Sequence, residues 1–234
     1  MGVEYILYIL SILAILLCVW AQIKVQTTFN KYSSYVTGGG TAASVAREIL
    51  DSAGLYNIRV ERTGGSLTDH YDPRSGALRL SDGVYDSRSA AAVGVAAHEC
   101  GHAIQHAVGY IPLRLRTALV PVTSFASRFT WVLIMLGALL MAFDSYIGYY
   151  VLLFGIGLFF ITTLFQLITL PCELDASHRA LASLRDTGRY TPDELSVSRR
   201  VLSAAAFTYI AALLVSLLQL LRLVIRFMGR GRRR

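Results

Sequence analysis

Four long apolar segments constrain the fold of this chain more than any other feature of its sequence. They run from Val3 to Ile23, from Leu119 to Phe143, from Tyr146 to Leu170 and from about Ser203 to Leu221. Each is about as long as the ~20 apolar residues with which a helix spans the hydrocarbon core of a bilayer. Only 16% of the 234 residues are charged, against about 25% in a soluble globular protein. The sequence therefore predicts a mostly α-helical, polytopic membrane protein with about four transmembrane helices.

These segments divide the chain into five regions. Residues 1–23 form the first transmembrane helix, residues 24–116 a soluble α+β domain and residues 117–170 a transmembrane helical hairpin. Residues 171–202 form a helix and a connection, and residues 203–234 form the fourth transmembrane helix and a basic tail. The first region could instead be a cleavable signal peptide. Its apolar stretch exceeds a signal core of about 7–15 residues and no good cleavage site follows, so we expect it to be retained.

The soluble region carries the start and stop signals of several short elements. Thr41 is a candidate N-cap for a helix from Ala42 to Ser52, and a second helix is expected from about Ser87 to Val108. Turn residues separate three extended segments between these helices, which are Asn57–Arg62, Ser66–Tyr71 and Ala77–Ser81. The simplest arrangement of the three segments is a small antiparallel sheet.

His98, Glu99 and His102 lie in the second of these helices and give the strongest functional signal. Their spacing places both imidazoles on one helical face, with a glutamate between them that can act as a general base. The alternative is a pair of core histidines, with Glu99 on the solvated side. The preceding run from Ser89 to Ala97 is small and apolar, which favours a buried helix that carries a metal site. The pattern predicts a zinc-dependent peptidase.

The third metal ligand must come from elsewhere, because a catalytic zinc ion usually has three protein ligands and one open position. His106 lies about 12 Å from His98 along a straight helix, which is too far. Glu173 directly follows the third apolar segment, and the short turn of the hairpin returns it to the membrane side of the histidines. Asp175 is the rival ligand, but on a helix the two acids project about 200° apart and Glu173 is longer. We expect one zinc ion per chain, bound by His98, His102 and Glu173.

Cysteines are the other side chains that could bind zinc. Cys18, Cys100 and Cys172 are too few and too scattered for a disulfide framework. A thiolate ligand from Cys100 or Cys172 is disfavoured, because residues adjacent to a ligand on a helix point about 100° away from it.

In the expected mechanism, zinc polarises the scissile carbonyl and acidifies its water, while Glu99 takes the proton and returns it to the leaving amine. A further group should donate to the oxyanion. The candidates, which the sequence does not rank, are His70, Tyr71, His178 and Tyr209. Metallopeptidases commonly hold an extended substrate against a sheet edge. We expect this edge to be the strand Ala77-Leu78-Arg79-Leu80-Ser81.

Three longer motifs contain most of these residues. They are Leu67-Thr68-Asp69-His70-Tyr71-Asp72-Pro73, Ala96-Ala97-His98-Glu99-Cys100-Gly101-His102-Ala103-Ile104-Gln105 and Glu173-Leu174-Asp175-Ala176-Ser177. Together they resemble the YugP-like bacterial membrane zinc metallopeptidases, and the resemblance covers nearly the whole chain. That family is similar to the HtpX-type gluzincins, whose third ligand is the glutamate of a Glu-x-x-Ala-Asp motif. The resemblance implies zinc, peptide-bond hydrolysis and a role in membrane-protein quality control.

One position departs from the pattern of the related gluzincins. Ser177 stands where those enzymes have the aspartate that supports a ligand histidine. The resemblance therefore implies that Asp175 or Ser177 orients a ligand histidine in this chain, or that this support is missing.

The membrane side of the site is indicated by charges near the ends of the apolar segments. Arginines of the tail favour a cytoplasmic C-terminus, which would place the site outside. Lysines and arginines near the other segment ends, such as Lys24, Lys31, Arg114 and Arg116, argue for the opposite orientation. The first helix usually dominates, so we expect a cytoplasmic site in a bacterial cell membrane. Its position beside two apolar segments predicts a zincin-like domain at the membrane surface.

The expected partners are the lipid bilayer and polypeptide substrates, above all membrane or misfolded proteins. No segment resembles a nucleic-acid module, so nucleic acid is not an expected partner. Two other functions stay open. One is a site-2-type intramembrane protease, which would need the histidine helix to span the membrane. The other is a non-catalytic scaffold in which zinc is a structural clamp, and either a homo-oligomer or a scaffold partner would be compatible with the sequence.

Overall fold

The computed structural model describes residues 2–228, apart from the side chains of Val3, Glu4 and Met228. The part of the basic tail that contains Arg230, Arg232, Arg233 and Arg234 lies outside the described residues. The helices are α1 (Gly2–Tyr32), α2 (Ala42–Ser52), α3 (Asp82–Tyr85), α4 (Ala90–Ala107), α5 (Ile111–Ala142), α6 (Tyr146–Asp186) and α7 (Pro192–Met228). The strands are β1 (Arg59–Thr63), β2 (His70–Asp72) and β3 (Ala77–Ser81).

The chain forms two compact units, which we name the spanning unit and the α+β unit. The spanning unit contains residues 2–20, 115–169 and 209–228 of the described chain. The α+β unit contains residues 21–114 and 170–208. Among the described residues, α1, α5, α6 and α7 are long and apolar enough to cross a membrane. The prediction of a mostly α-helical polytopic protein with a small α+β domain is confirmed.

The spanning unit exposes many of its large apolar side chains. Leu13, Val132 and Phe154 are more than half exposed, and extensive exposure of large apolar side chains is typical of a membrane-facing protein. A small buried cluster that includes Leu152 and Ile156 fills the interior. The turn between α5 and α6 contains Asp144, whose φ of 56° lies in the left-handed region that short polar residues tolerate.

Helix α2 contributes one buried face to the hydrophobic core of the α+β unit. The side chain of Thr41 accepts a hydrogen bond from the N–H of Ser44, as expected of an N-cap, and the helix has the predicted bounds. One face of α2 buries Val45, Ile49 and Leu50. These side chains join a hydrophobic core to which α4 and the sheet also contribute, so α4 has a rigid support on one face.

The sheet is mixed, so the prediction of an antiparallel sheet was wrong. Its order is β1-β3-β2, with β3 parallel to β1 and antiparallel to β2. Leu78 and Leu80 of β3 are fully buried, whereas β1 is charged and β2 is only three residues long. The most apolar strand therefore takes the central position.

The sheet order also shows that the prediction of the substrate-binding edge was wrong. The predicted edge was Ala77-Leu78-Arg79-Leu80-Ser81. These residues form β3, whose backbone pairs with a strand on each side. A central strand has no unpaired edge for a peptide to join. The edges of the sheet are β1 and β2.

Two long helices run through the boundary between a span and the soluble region. α6 continues past Pro171 to Asp186, so the segment predicted to follow the hairpin is the end of a spanning helix. A proline removes one helical hydrogen bond, which long helices of membrane proteins tolerate. α7 begins at Pro192, well before the predicted start near Ser203, because Thr191 and Glu194 form a reciprocal capping box.

Candidate metal centre

α4 presents His98 and His102 on one face. Its N-terminus is capped by Ser89, whose side chain accepts a hydrogen bond from the N–H of Ala92. The small residues of its opposite face, among them Ala97 and Cys100, pack into the core. The two imidazole rings lie one turn apart, with centroids 4.8 Å from each other.

Glu173 reaches these rings from α6. Its Oε2 lies 3.2 Å from Nε2 of His98 and 3.7 Å from Nε2 of His102. One ligand atom from each of the three residues falls within 4.8 Å of the others. Glu173 and His102 are buried, and His98 is partly buried. The structure thus brings together the three residues that were predicted from the sequence to be metal ligands.

Gly101 permits the close approach of the two helices that carry these residues. A Cβ atom at this position would lie 3.0 Å from the carbonyl carbon of Ala176 and 3.1 Å from its Cα, and it would also meet the carbonyl oxygen. Contacts this short with backbone atoms are not tolerated, so only glycine fits. The backbone of α6 therefore packs directly on α4, three residues after Glu173.

The donor set fits zinc. Nδ1 of His98 lies 3.1 Å from the hydroxyl of Ser177, and Nδ1 of His102 lies 3.0 Å from Oε1 of Gln105. Both Nε2 atoms are therefore left to face Glu173. Bonds of about 2 Å in a tetrahedral site place two ligand atoms roughly 3.3 Å apart, close to the 3.2 and 3.7 Å that separate Oε2 of Glu173 from the two Nε2 atoms.

The local electrostatics also favour a cation. Burial lowers the pKa of His102, but hydrogen bonding to Glu173 and the charge of Glu99 outweigh it, and the net direction is upward. The buried carboxylates thus attract positive charge to the imidazole, and a divalent cation satisfies the same field.

Glu99 is held beside this cluster by the edge strand β2. The backbone N–H of Tyr71 donates to Oε2 of Glu99 at 3.0 Å. The carboxylate is buried and follows directly after His98 in the chain. This hydrogen bond fixes one oxygen of the carboxylate.

Comparison with known proteins agrees with this geometry. Residues 7–228 match the model of a family described as "Putative neutral zinc metallopeptidase". The chain belongs to this family. It is also 46% identical, over 94% of its length and 96% of the relative, to the "Putative membrane protease YugP" of Bacillus subtilis (strain 168). No solved structure matches the chain.

Family membership, together with the four apolar helices, makes this member of the zinc metallopeptidase family a membrane protein. The suspected YugP-like family is thereby confirmed. The roles of individual residues stay predictions. The positions of these residues in the structure make the predictions more specific.

The residues expected to support the ligands are found on α6. Ser177 contacts His98, as above, while Asp175 accepts a hydrogen bond from Gln105 and forms a 2.6 Å ion pair with Arg179. His178 is exposed and lies about 140° around the helix from Glu173. Of the two alternatives that the sequence offered, both Asp175 and Ser177 are thus linked to a ligand histidine.

The oxyanion candidates are placed differently. His70 lies 2.7 Å from the carbonyl oxygen of Thr68 and 3.4 Å from Arg79, on the sheet face opposite Tyr71. The hydroxyl of Tyr71 lies 3.0 Å from Nδ1 of His106. Tyr209 belongs to the spanning unit. Tyr71 is linked to Glu99 through its backbone N–H, while its phenol faces His106.

Gln105 is the residue that sequence reasoning missed. The amide is fully buried, and it lies three residues after His102, on the neighbouring turn of α4. A buried glutamine needs partners for both ends of its amide. An amide at this spacing from a ligand histidine was the available signal.

Proposed function

We propose that this protein is a membrane-bound zinc endopeptidase of the gluzincin type, with one zinc ion per chain held by His98, His102 and Glu173. The observation that carries the proposal is the convergence of two imidazole nitrogens and one carboxylate oxygen within 4.8 Å. Three protein ligands match a catalytic site with an open position, whereas closed structural sites usually have four.

The chain supplies the proton transfers. Zinc, when bound, provides Lewis-acid polarisation of the scissile carbonyl and acidifies the attacking water. Glu99 is anchored through Oε2 by the Tyr71 amide, and its Oε1 takes the proton from the water. The same carboxyl group then gives the proton to the leaving amine. The phenol of Tyr71 is the leading donor to the oxyanion.

Substrates bind as extended segments along β2. This strand is an edge of the sheet, and Tyr71 within it contacts the base. Pairing through backbone groups recognises an extended chain without demanding a particular sequence. Membrane or misfolded proteins offer such segments, which fits a role in membrane-protein quality control.

The catalytic side is the cytoplasmic face of a bacterial cell membrane. Basic residues near the ends of the apolar segments, such as Lys24, Lys31 and Arg114, support this orientation. A membrane-impermeant maleimide should label Ser145→Cys in intact cells and Ser75→Cys only after lysis. The reverse labelling pattern would place the site outside.

Two alternatives are less well supported. A site-2-type protease needs its histidine helix inside the bilayer, yet α4 is not among the candidate spans found in residues 2–228. A structural zinc scaffold leaves the anchored carboxylate of Glu99 without a purpose. Cleavage restricted to transmembrane segments would favour the first alternative.

The decisive experiment measures zinc content and hydrolysis of an unfolded protein substrate together. Glu99→Gln should keep about one zinc ion per chain and lose at least about 1000-fold in turnover, because the base is removed but the ligands remain. Glu173→Ala should lose both zinc and activity. Glu48→Gln is the matched control, because this glutamate pairs with Arg189 on the surface. Full activity of Glu99→Gln would refute Glu99 as the base, whereas zinc binding by a wild type that hydrolyses nothing would leave only the scaffold.

A further inference from the structure

Gln105 connects a ligand of the candidate metal centre on α4 to the end of α6. Its Nε2 donates to the carbonyl oxygen of Cys172 and to Oδ2 of Asp175, both at 2.8 Å. Its Oε1 lies 3.0 Å from Nδ1 of His102. The side chain of Gln105 is fully buried, so bulk water does not reach its amide.

The two acceptors determine which way the amide points. A carbonyl and a carboxylate oxygen can only accept hydrogen bonds, so the NH₂ group of Gln105 must face them. Reversing the amide would place its oxygen against both acceptors. Oε1 therefore faces His102, and Nδ1 of His102 must carry the proton that completes this hydrogen bond.

This arrangement selects one tautomer of the ligand. With the proton on Nδ1, the lone pair of His102 is on Nε2, the atom that faces Glu173. A hydrogen bond to the second ring nitrogen both orients a ligand imidazole and raises its basicity. Gln105 therefore supports only the His102 tautomer whose lone pair is on Nε2.

The outer end of this connection is charged. Arg179 contacts Oδ2 of Asp175 at 2.6 Å, one helical turn further along α6, and its guanidinium lies 5.9 Å from the ring centroid of Tyr110. This ion pair orients the carboxylate of Asp175, which accepts the hydrogen bond from Gln105. The connection thus runs from Arg179 through Asp175 and Gln105 to His102.

His98 lacks an equivalent constraint in its contact with Ser177. A serine hydroxyl can either donate or accept, so the 3.1 Å contact with Nδ1 of His98 is compatible with both tautomers. The two histidines are consequently supported unequally.

We propose that Gln105 is a positioning residue that locks His102 as an Nε2 metal ligand, and that Asp175 and Arg179 fix its amide. This inference rests on the zinc site of the proposed function. Gln105 does not touch the substrate. It acts through His102, and its loss should weaken the metal before it alters the chemistry.

The test is zinc affinity, measured by competition with a chromogenic chelator on the full chain in detergent. Gln105→Leu should weaken zinc binding about 10- to 100-fold. The visible absorption of the cobalt-substituted protein should also change, since the His102 imidazole is no longer fixed. Ser177→Ala is the comparator and should weaken zinc binding only a few-fold.

A reciprocal exchange keeps the test independent of folding defects. Gln105→Glu places a carboxylate against Asp175 and should weaken zinc binding as Gln105→Leu does. Adding Asp175→Asn restores a donor–acceptor pair between the two positions but leaves the Cys172 carbonyl opposite a carboxylate oxygen, so it should recover a measurable part of the loss. A wild type without zinc would refute the metal site itself. A wild type with zinc, combined with unchanged affinity in both Gln105 variants or no recovery in the double variant, would overturn the role of Gln105.

Discussion

Glycines bring helices into close backbone contact in both units, but they serve different ends. In the spanning unit, a Cβ at Gly137 of α5 would lie 2.5 Å from the backbone nitrogen of Leu152 in α6. In the α+β unit, Gly101 of α4 has the same relation to Ala176. Helices in lipid gain no hydrophobic drive from association, so close packing itself stabilises the hairpin. At Gly101, closeness instead places Glu173 at the two histidines.

The comparison teaches that the neighbour of a glycine decides its role. Around Gly137 the adjacent atoms belong to Leu152 of an apolar helix pair. The neighbour of Gly101 is Ala176, and the buried carboxylate of Glu173 lies three residues before it in α6. A shift of α6 by even one ångström would change the separation of Glu173 from His98, whereas the hairpin could absorb a similar shift by repacking.

The largest effect should follow Gly101→Ala. The added methyl group forces α6 away, so we expect a stability loss of about 1–3 kcal/mol and a loss of zinc affinity of at least about tenfold. Gly94→Ala on the same helix is the control, because its Cβ would meet Ser198 at a more tolerable 3.3 Å. Both changes raise helix propensity by about 1 kcal/mol. Zinc titration and thermal unfolding measure the difference, and equal zinc affinity in the two variants would contradict this role of Gly101.

A different outcome is expected for Gly137→Ala. Overpacking in the hairpin should lower stability by about 1–3 kcal/mol, while zinc content stays at one per chain, because His98, His102 and Glu173 all lie in the α+β unit. Unfolding in detergent by sodium dodecyl sulfate, followed through tryptophan fluorescence, measures the loss. Gly157→Ala is the control, since its Cβ would have no neighbour within 4 Å. Loss of zinc in Gly137→Ala would remove the distinction between the two glycines.

Much of this architecture could be predicted because its signals are local. Apolar length marked the four spanning helices, the N-cap Thr41 marked the start of α2, and the four-residue spacing marked His98 and His102. Glu173 could be found because the short hairpin turn limits where the chain returns. Each of these inferences needs only a helix period or a length, which the sequence states directly.

The errors concern pairings between segments distant in sequence. Nothing local in Ala77–Ser81 states that a parallel neighbour will cover its second side, so a central strand was taken for an edge. The supporting role of Gln105 was missed, because its partners on α6 lie 67 and 70 residues away. A proline is expected to interrupt a helix, yet α6 continues through Pro171. Whether it does so depends on the tertiary surroundings, which a local sequence rule ignores.

The smallest effect is expected one position before Gly101. Cys100 is fully buried and faces α2, with its Sγ 3.5 Å from the carbonyl oxygen of Ala46. Burial raises the pKa of this thiol, so it stays protonated and unreactive near neutral pH. Cys100→Ala should cost about 1 kcal/mol of stability and leave zinc affinity within about twofold, because adjacent residues of a helix point about 100° apart.

Zinc titration of Cys100→Ala and peptide mapping after alkylation of the folded wild type check this prediction. Alkylation should spare Cys100 until the protein is denatured. A large loss of zinc in Cys100→Ala would mean that the core-facing side of α4 also sets the metal geometry. In that case Gly101 could no longer be separated from its neighbours, and convergence on Glu173 would depend on the packing of the whole helix.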